Sequence, residues 1–137
     1  MSRILGVDYG ERRIGLALSD PLQIIAKPLT VIDRAKTRDY ISLISNIISE
    51  KNVISMVVGL PLTLKGKHSQ QTKIVMAFVE ELKLELEIPI DFIDERLSSV
   101  SAEKLLQMQN IKTGHDKGRV DETSASIILQ EHLDSQT

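Results

Sequence analysis

Residues 55–61, SMVVGLP, form a nearly unbroken apolar run that stops at a glycine and a proline. A short run without polar alternation suits a strand covered on both faces, as in the middle of a parallel sheet. Both neighbouring segments supply the covering helices. In residues 39–51, Tyr40, Leu43, Ile44, Ile47 and Ile48 recur at helical spacing, and in residues 70–86 the inward set is Val75, Phe78, Val79, Leu82 and Leu86. The run at 55–61 is therefore expected to be a central strand, parallel to the first strand of the chain.

That first strand, residues 4–9, is followed by a tight connection at 10–12 and a second strand at 14–19, an economical hairpin. A third short strand at 28–32 extends the meander, with Asp20-Pro21 marking the turn before it. Residues 88–94, IPIDFID, read as another strand. Ser98 or Ser99 can cap a helix through Leu105 and Leu106, NIKTGHDKGR is a polar loop, and the last helix runs from Asp121 to about Leu133. No repeat or linker breaks this order, and 137 residues suit one domain. The expected fold class is α/β: a mixed five-stranded sheet, an antiparallel meander followed by parallel strands, with helices on both faces.

Composition narrows the function. Hydrophobic residues make up 42% and charged residues 26%, which excludes a disordered chain. Two tyrosines and two phenylalanines are too few for a single-strand binder built on stacked rings. Without cysteine there is no thiol nucleophile, disulfide, iron–sulfur cluster or thiolate zinc site. His68, His115 and His132 are too widely spaced to suggest a metal site, and GLP at 59–61 lacks the spacing of a phosphate loop, so a strand stop explains it. No run approaches the roughly 20 apolar residues of a membrane span, and the N-terminus has no apolar leader, so no membrane partner and a cytoplasmic location are expected. A net charge of −2 argues against a basic coat but leaves room for local basic stripes.

The anomaly is Asp8, an aspartate inside an apolar strand beside Gly6 and Gly10. Ligands of mixed and parallel sheets gather at the carboxyl ends of the parallel strands, where Asp8 and the pair Asp94-Glu95 both lie. At about 100° per residue, Asp121 falls on the helix stripe of Ala125, Ile128 and His132, the face that must pack on the sheet. Three carboxylates then meet at one edge. Such a cluster needs protons or metal ions to offset its repulsion, and an all-oxygen site suits Mg²⁺ or Mn²⁺. Two such ions about 4 Å apart would activate water and stabilise the leaving oxygen of a phosphodiester, which is nuclease chemistry. Each acid also has a plainer reading: Asp121 as a helix N-cap, Glu95 in an exposed ion pair with Arg96, Asp8 as a turn ligand. Taken singly, only Asp8 favours chemistry, because burying a carboxylate is costly.

The motifs GVDYGERRIGLALSD, VVGLPLTLKG, DERLSS and KGRVDETSASIIL, in this order and almost end to end, resemble those of the YqgF (RuvX) family of ribonuclease H-like proteins. That resemblance implies a ribonuclease H-like fold and a nuclease maturing the 5′ end of the small-subunit ribosomal RNA precursor, with Asp8, Glu95 and Asp121 as the metal-binding catalytic acids. Three positions depart from the family pattern: Thr63 stands where asparagine is usual, Ser99 where threonine is usual, and Glu122 where a small residue is common. Thr63 calls a loop contact into question, Ser99 keeps a hydroxyl for a cap or phosphate contact, and Glu122 adds charge beside the catalytic position.

Basic residues on the loops supply the expected substrate contacts: Arg12 and Arg13 after the first acid, Lys65, Lys67 and His68 after the central strand, Arg96 beside Glu95, and Lys112, His115, Lys117 and Arg119 before Asp121. Any one of them alone reads as a solvated loop residue. The expected partner is nucleic acid, as precursor ribosomal RNA and in ribosomal particles, with branched DNA as the alternative. Two further readings stay open. A noncatalytic RNA-binding assembly factor would use the acids for structural metal, and VDYG before a hairpin also resembles the first phosphate loop of actin-like ATPases, which a chain this short opposes.

Overall fold

The computed structural model describes residues 2–95 and 117–136, with side chains in the second stretch described from residue 123 onward. Its strands are β1 (Arg3–Tyr9), β2 (Arg13–Ser19), β3 (Ala26–Asp33), β4 (Val53–Leu60) and β5 (Ile90–Asp94). Its helices, among the described residues, are α1 (Tyr40–Glu50), α2 (Gln70–Glu85) and α3 (Lys117–Ser135). The five strands make one sheet in the order β3-β2-β1-β4-β5. β1 pairs antiparallel with β2 and β2 with β3, whereas β1 with β4 and β4 with β5 are parallel. The expected mixed sheet is observed, with β4 parallel to β1 as expected; the middle strand is β1, and β4 is interior between β1 and the edge strand β5.

Period-two alternation sorts the sheet into two cores. Leu5, Val7 and Tyr9 of β1, Ile14 and Leu16 of β2, and Met56 and Val58 of β4 face α1 and α2, where Ile44, Val75, Phe78, Val79 and Leu82 cover them. Ile4, Ala17 and Val57 face the other way, against Ala125, Ile128, Leu129 and Leu133 of α3. Gly6 lies on that second face; a Cβ there would come within 2.7 Å of Leu129 Cβ and 3.0 Å of the Ala125 carbonyl oxygen. Its missing side chain lets α3 lie directly on β1. Gln130 ties the same helix to the sheet edge, accepting from Ala26 N at 2.9 Å and donating to Ile24 O at 2.9 Å.

The differences from the sequence reading have local causes. β3 begins at Ala26 rather than Pro28, because it is an edge strand, where a residue without an N–H is tolerated; its register shifts opposite Leu16 and Ala17. In α1, Leu43 is exposed while Ile41 packs against the core, so the inward stripe is turned slightly from the expected one. Helix α3 includes Lys117 and Arg119, which the sequence reading assigned to a loop. The expected helix after Ser98 or Ser99 lies outside the described residues.

Candidate active site

Asp8 follows from the alternation of β1: Leu5, Val7 and Tyr9 occupy the face beneath α1 and α2, so Asp8 lies on the α3 face, opposite Gly15 of β2. Glu95 immediately follows β5, whose last residue, Asp94, pairs with Leu60 at the end of β4. Both acids therefore stand at the carboxyl edge of the parallel strands, and their side chains are joined by a hydrogen bond. Burial, then that hydrogen bond, then the Glu95 charge raise the Asp8 pKa from 3.8 to about 8. At neutral pH the pair thus keeps a proton that an isolated aspartate would have released.

Gly59 makes room for this pair. It is a residue of β4 on the α3 face, and a Cβ there would meet Ile128 Cδ1 at 2.6 Å and the Glu95 carboxyl carbon at 3.4 Å. The sequence reading treated it as part of a strand stop. In the structure it lies within β4, and its absent side chain gives space to a catalytic candidate. The only sequence signal was a glycine two residues before a strand's closing proline.

Position 121 lies in α3 one turn before Ala125, which is buried on the sheet. Because α3 starts no later than Lys117, Asp121 is in its second turn, and the N-cap reading does not hold. Its side chain lies outside those described. Among the described residues, no three His, Asp or Glu side chains form a metal-binding group, so the described part of the site is the Asp8–Glu95 pair. The side chains of Lys117 and Arg119, like the whole of Arg96, Ser99, Lys112 and His115, lie outside the described residues, as does the side chain of Glu122.

The hairpin after Asp8 separates the two arginines predicted together. Gly10 N donates to Arg13 O at 2.8 Å, and a Cβ on Gly10 would meet that same oxygen at 2.6 Å. The glycine is needed by the turn itself. Arg13 shares the sheet face of Asp8 by strand alternation, whereas Arg12 is an exposed residue of the turn, 3.9 Å from Asp33 across an ion pair. Arg34, which sequence reasoning missed, clasps the hairpin: Nη1 donates to Glu11 O at 2.6 Å and to Gly10 O at 3.3 Å.

Lys65, Lys67 and His68 are exposed on the turn that follows β4. Thr63 holds that turn closed, its hydroxyl accepting from Lys67 N at 3.0 Å while Thr63 N donates to Lys67 O at 3.0 Å. The departure from asparagine therefore leaves the loop pinned. Gly66 supplies the left-handed residue, with φ of 78°. His68 pairs with Leu62 in an isolated β-bridge, and His132 is partly exposed on α3.

The family model for RuvX, described as Holliday junction resolvase, matches residues 2–135. The chain belongs to the RuvX family. Its relatives include a Roseiflexus protein (strain RS-1) named "Putative pre-16S rRNA nuclease", 46% identical over 134 residues, covering 98% of this chain and 95% of the relative. A Synechocystis protein (strain PCC 6803) of the same name is 41% identical, covering 95% and 86%. Among solved structures, this RuvX chain is similar to Thermus thermophilus RuvC in complex with a Holliday junction substrate, with a TM-score of 0.60 at 10% identity over 99% of this chain and 96% of RuvC. The fowlpox virus Holliday junction resolvase with its junction DNA gives a TM-score of 0.58 at 10% identity, over 98% of each chain. At that identity the likeness establishes the ribonuclease H-type fold. Among the described residues, no helix of this RuvX protein is long and apolar enough to cross a membrane.

Proposed function

We propose that this RuvX chain, acting as a single domain, is a divalent-metal-dependent nuclease that hydrolyses phosphodiester bonds in maturing the 5′ end of the 16S ribosomal RNA precursor in the cytoplasm. The observation that carries this reading is the hydrogen-bonded Asp8–Glu95 carboxyl pair at the ligand edge of the sheet, in a family whose curated relatives are named for that RNA.

The residues fit a hard divalent cation such as Mg²⁺ or Mn²⁺. Two carboxyl groups forced together retain a proton to relieve their repulsion, and a doubly charged cation with oxygen ligands relieves it better. Asp8 and Glu95 would hold the metal, with Asp121 from α3 as the third acid. The bound metal supplies Lewis-acid activation of water and stabilisation of the leaving oxygen. This chain's own residues do the rest. The pair would give up its proton to hold a cation, Gly59 leaves room for the Glu95 carboxyl, and the cations around the edge hold the strand. Arg13, Lys65 and Lys67, with Arg12, Arg96, Ser99, Lys117 and Arg119, are the proposed phosphate contacts, and ribosomal particles are the proposed setting.

The test is cleavage of an RNA spanning the precursor's 5′ boundary by purified protein, with Mg²⁺, with Mn²⁺ and with chelator. Asp8→Asn should lower the rate by more than the roughly 100-fold typical of losing an outer-shell group at a metal site. Undiminished cleavage by that variant would overturn the mechanism. The RuvC-like fold and the family description favour a second reading, resolution of four-way DNA junctions. A junction cleaved faster than the RNA, side by side, would move the assignment there. Tight RNA binding without cleavage under either metal would make the protein an assembly factor.

A further inference from the structure

The catalytic edge has a shoulder that the carboxyl pair does not account for and that only its Glu11 and Arg12 share with the sequence motifs. A solvent-open depression of about 430 Å³ lies between the β1–β2 turn and the segment joining β3 to α1, lined by Glu11, Arg12, Arg34, Ala35, Arg38 and Tyr40. Three guanidinium groups against one carboxylate make it a basic hollow. It is at the same end of the sheet as Asp8, because the carboxyl end of β1, the start of β2 and the end of β3 meet there.

Its floor is built in place. The Arg34 guanidinium lies 4.7 Å from the Tyr9 ring centroid and 5.6 Å from that of Tyr40, and Tyr9 is stacked on Phe78 at 4.0 Å. Two backbone carbonyls take one end of that group, whereas its buried Nε has no hydrogen-bond partner among the described residues. A buried guanidinium N–H without an acceptor is a costly arrangement unless a ligand oxygen or water meets it. Arg12 and Arg38 are exposed, and the ion pair of Arg12 with Asp33 is long, at 3.9 Å, so both can turn to an incoming anion.

We propose that this hollow binds a backbone phosphate of the RNA strand, away from the scissile bond, with Arg34 as the fixed base and Arg12 and Arg38 as the closing arms. The inference rests on the nuclease reading and adds to it a second anchoring point, reached round the hairpin from Asp8. Guanidinium forks suit phosphate oxygens and read no base, so the site fixes where the strand lies rather than its sequence.

The experiment is a salt titration of binding by fluorescence anisotropy, using a labelled single-stranded RNA of about 20 nucleotides. Each phosphate contact on a single strand contributes about 0.7 to the slope of log K against log salt concentration. Arg38→Gln should lower that slope by about 0.7 and weaken binding several-fold at low salt, with Arg38→Lys restoring most of both. Ala35→Glu, which places a carboxylate in the hollow, should weaken binding further, whereas Ala35→Gln should not. Circular dichroism on each variant separates this from misfolding. If the wild-type protein binds and cleaves RNA while Arg38→Gln and Ala35→Glu match it in affinity and slope, the hollow is not a phosphate site and the nuclease reading stands. If the wild-type protein neither binds nor cleaves RNA, the nuclease reading fails and this site with it.

Discussion

At the scale of single residues, the titration of Asp8 makes a prediction about stability. An unfolded aspartate titrates near 3.8, and Asp8 in the fold at about 8. Between those two pH values the native protein holds a proton that the unfolded chain has lost, so stability without metal falls as pH rises through the window and levels off above it. Asparagine at this position carries no such ionisation. Without divalent metal at pH 8, Asp8→Asn is expected to be more stable than the parent in urea denaturation by up to about 5 kcal/mol, the gap closing towards pH 4. A gap that does not change with pH would show that the carboxyl group is not under this strain. Asp8 was legible as an anomaly because a carboxyl in an apolar strand violates the pattern around it. Gly59 and Arg34 were not. A glycine near a strand end and an arginine in a polar loop both fit ordinary expectations, and their roles arise only from what stands next to them in space.

At the scale of elements, the contact between α3 and β1 sets the depth of the site. Gly6 faces Leu129 Cβ and the Ala125 carbonyl, so a methyl group there must push the helix from the sheet. Gly6→Ala is expected to destabilise the protein by about 1–3 kcal/mol, the range of overpacking in a filled core, measured by the urea midpoint. Since α3 also carries Asp121, the same variant should lose metal-dependent activity beyond what its lowered stability explains, assayed where it remains folded. The elements themselves were largely readable. The helical spacing of Val75, Phe78, Val79 and Leu82 and the unbroken run before Pro61 are strong local signals, and both appear where expected. The start of α3 was misread because Gly118 and the charged neighbours of KGR suggest a loop, while the helix is held from its far side by buried Ala125, Ile128 and Leu129. Tertiary packing of an apolar face outweighs weak propensity at a helix end.

For the whole molecule, a site of paired acids in the fold and dispersed acids in the unfolded chain predicts coupling between metal and stability. At about 100 times its dissociation constant, a ligand that binds only the native state adds about 2.7 kcal/mol. For a chain of this size that corresponds to a rise in Tm of roughly 5–10 °C with Mg²⁺ or Mn²⁺, measured by differential scanning calorimetry. Asp8→Asn should lose most of that rise, and an equal rise in the variant would place the metal elsewhere. By itself the sequence determined the fold class, because alternation and helical spacing are short-range patterns that record which face of each element is buried. It also marked the edge at which Asp8 and Glu95 lie, since strand direction follows from the order of elements. The tertiary structure alone decided that these two carboxyl groups touch, that Gly59 clears the space between Glu95 and Ile128, and that Arg34, just after β3, clasps the hairpin carrying Arg12 and Arg13. Those are distances between residues remote in the chain or divided by a turn, and no periodicity along a sequence encodes them.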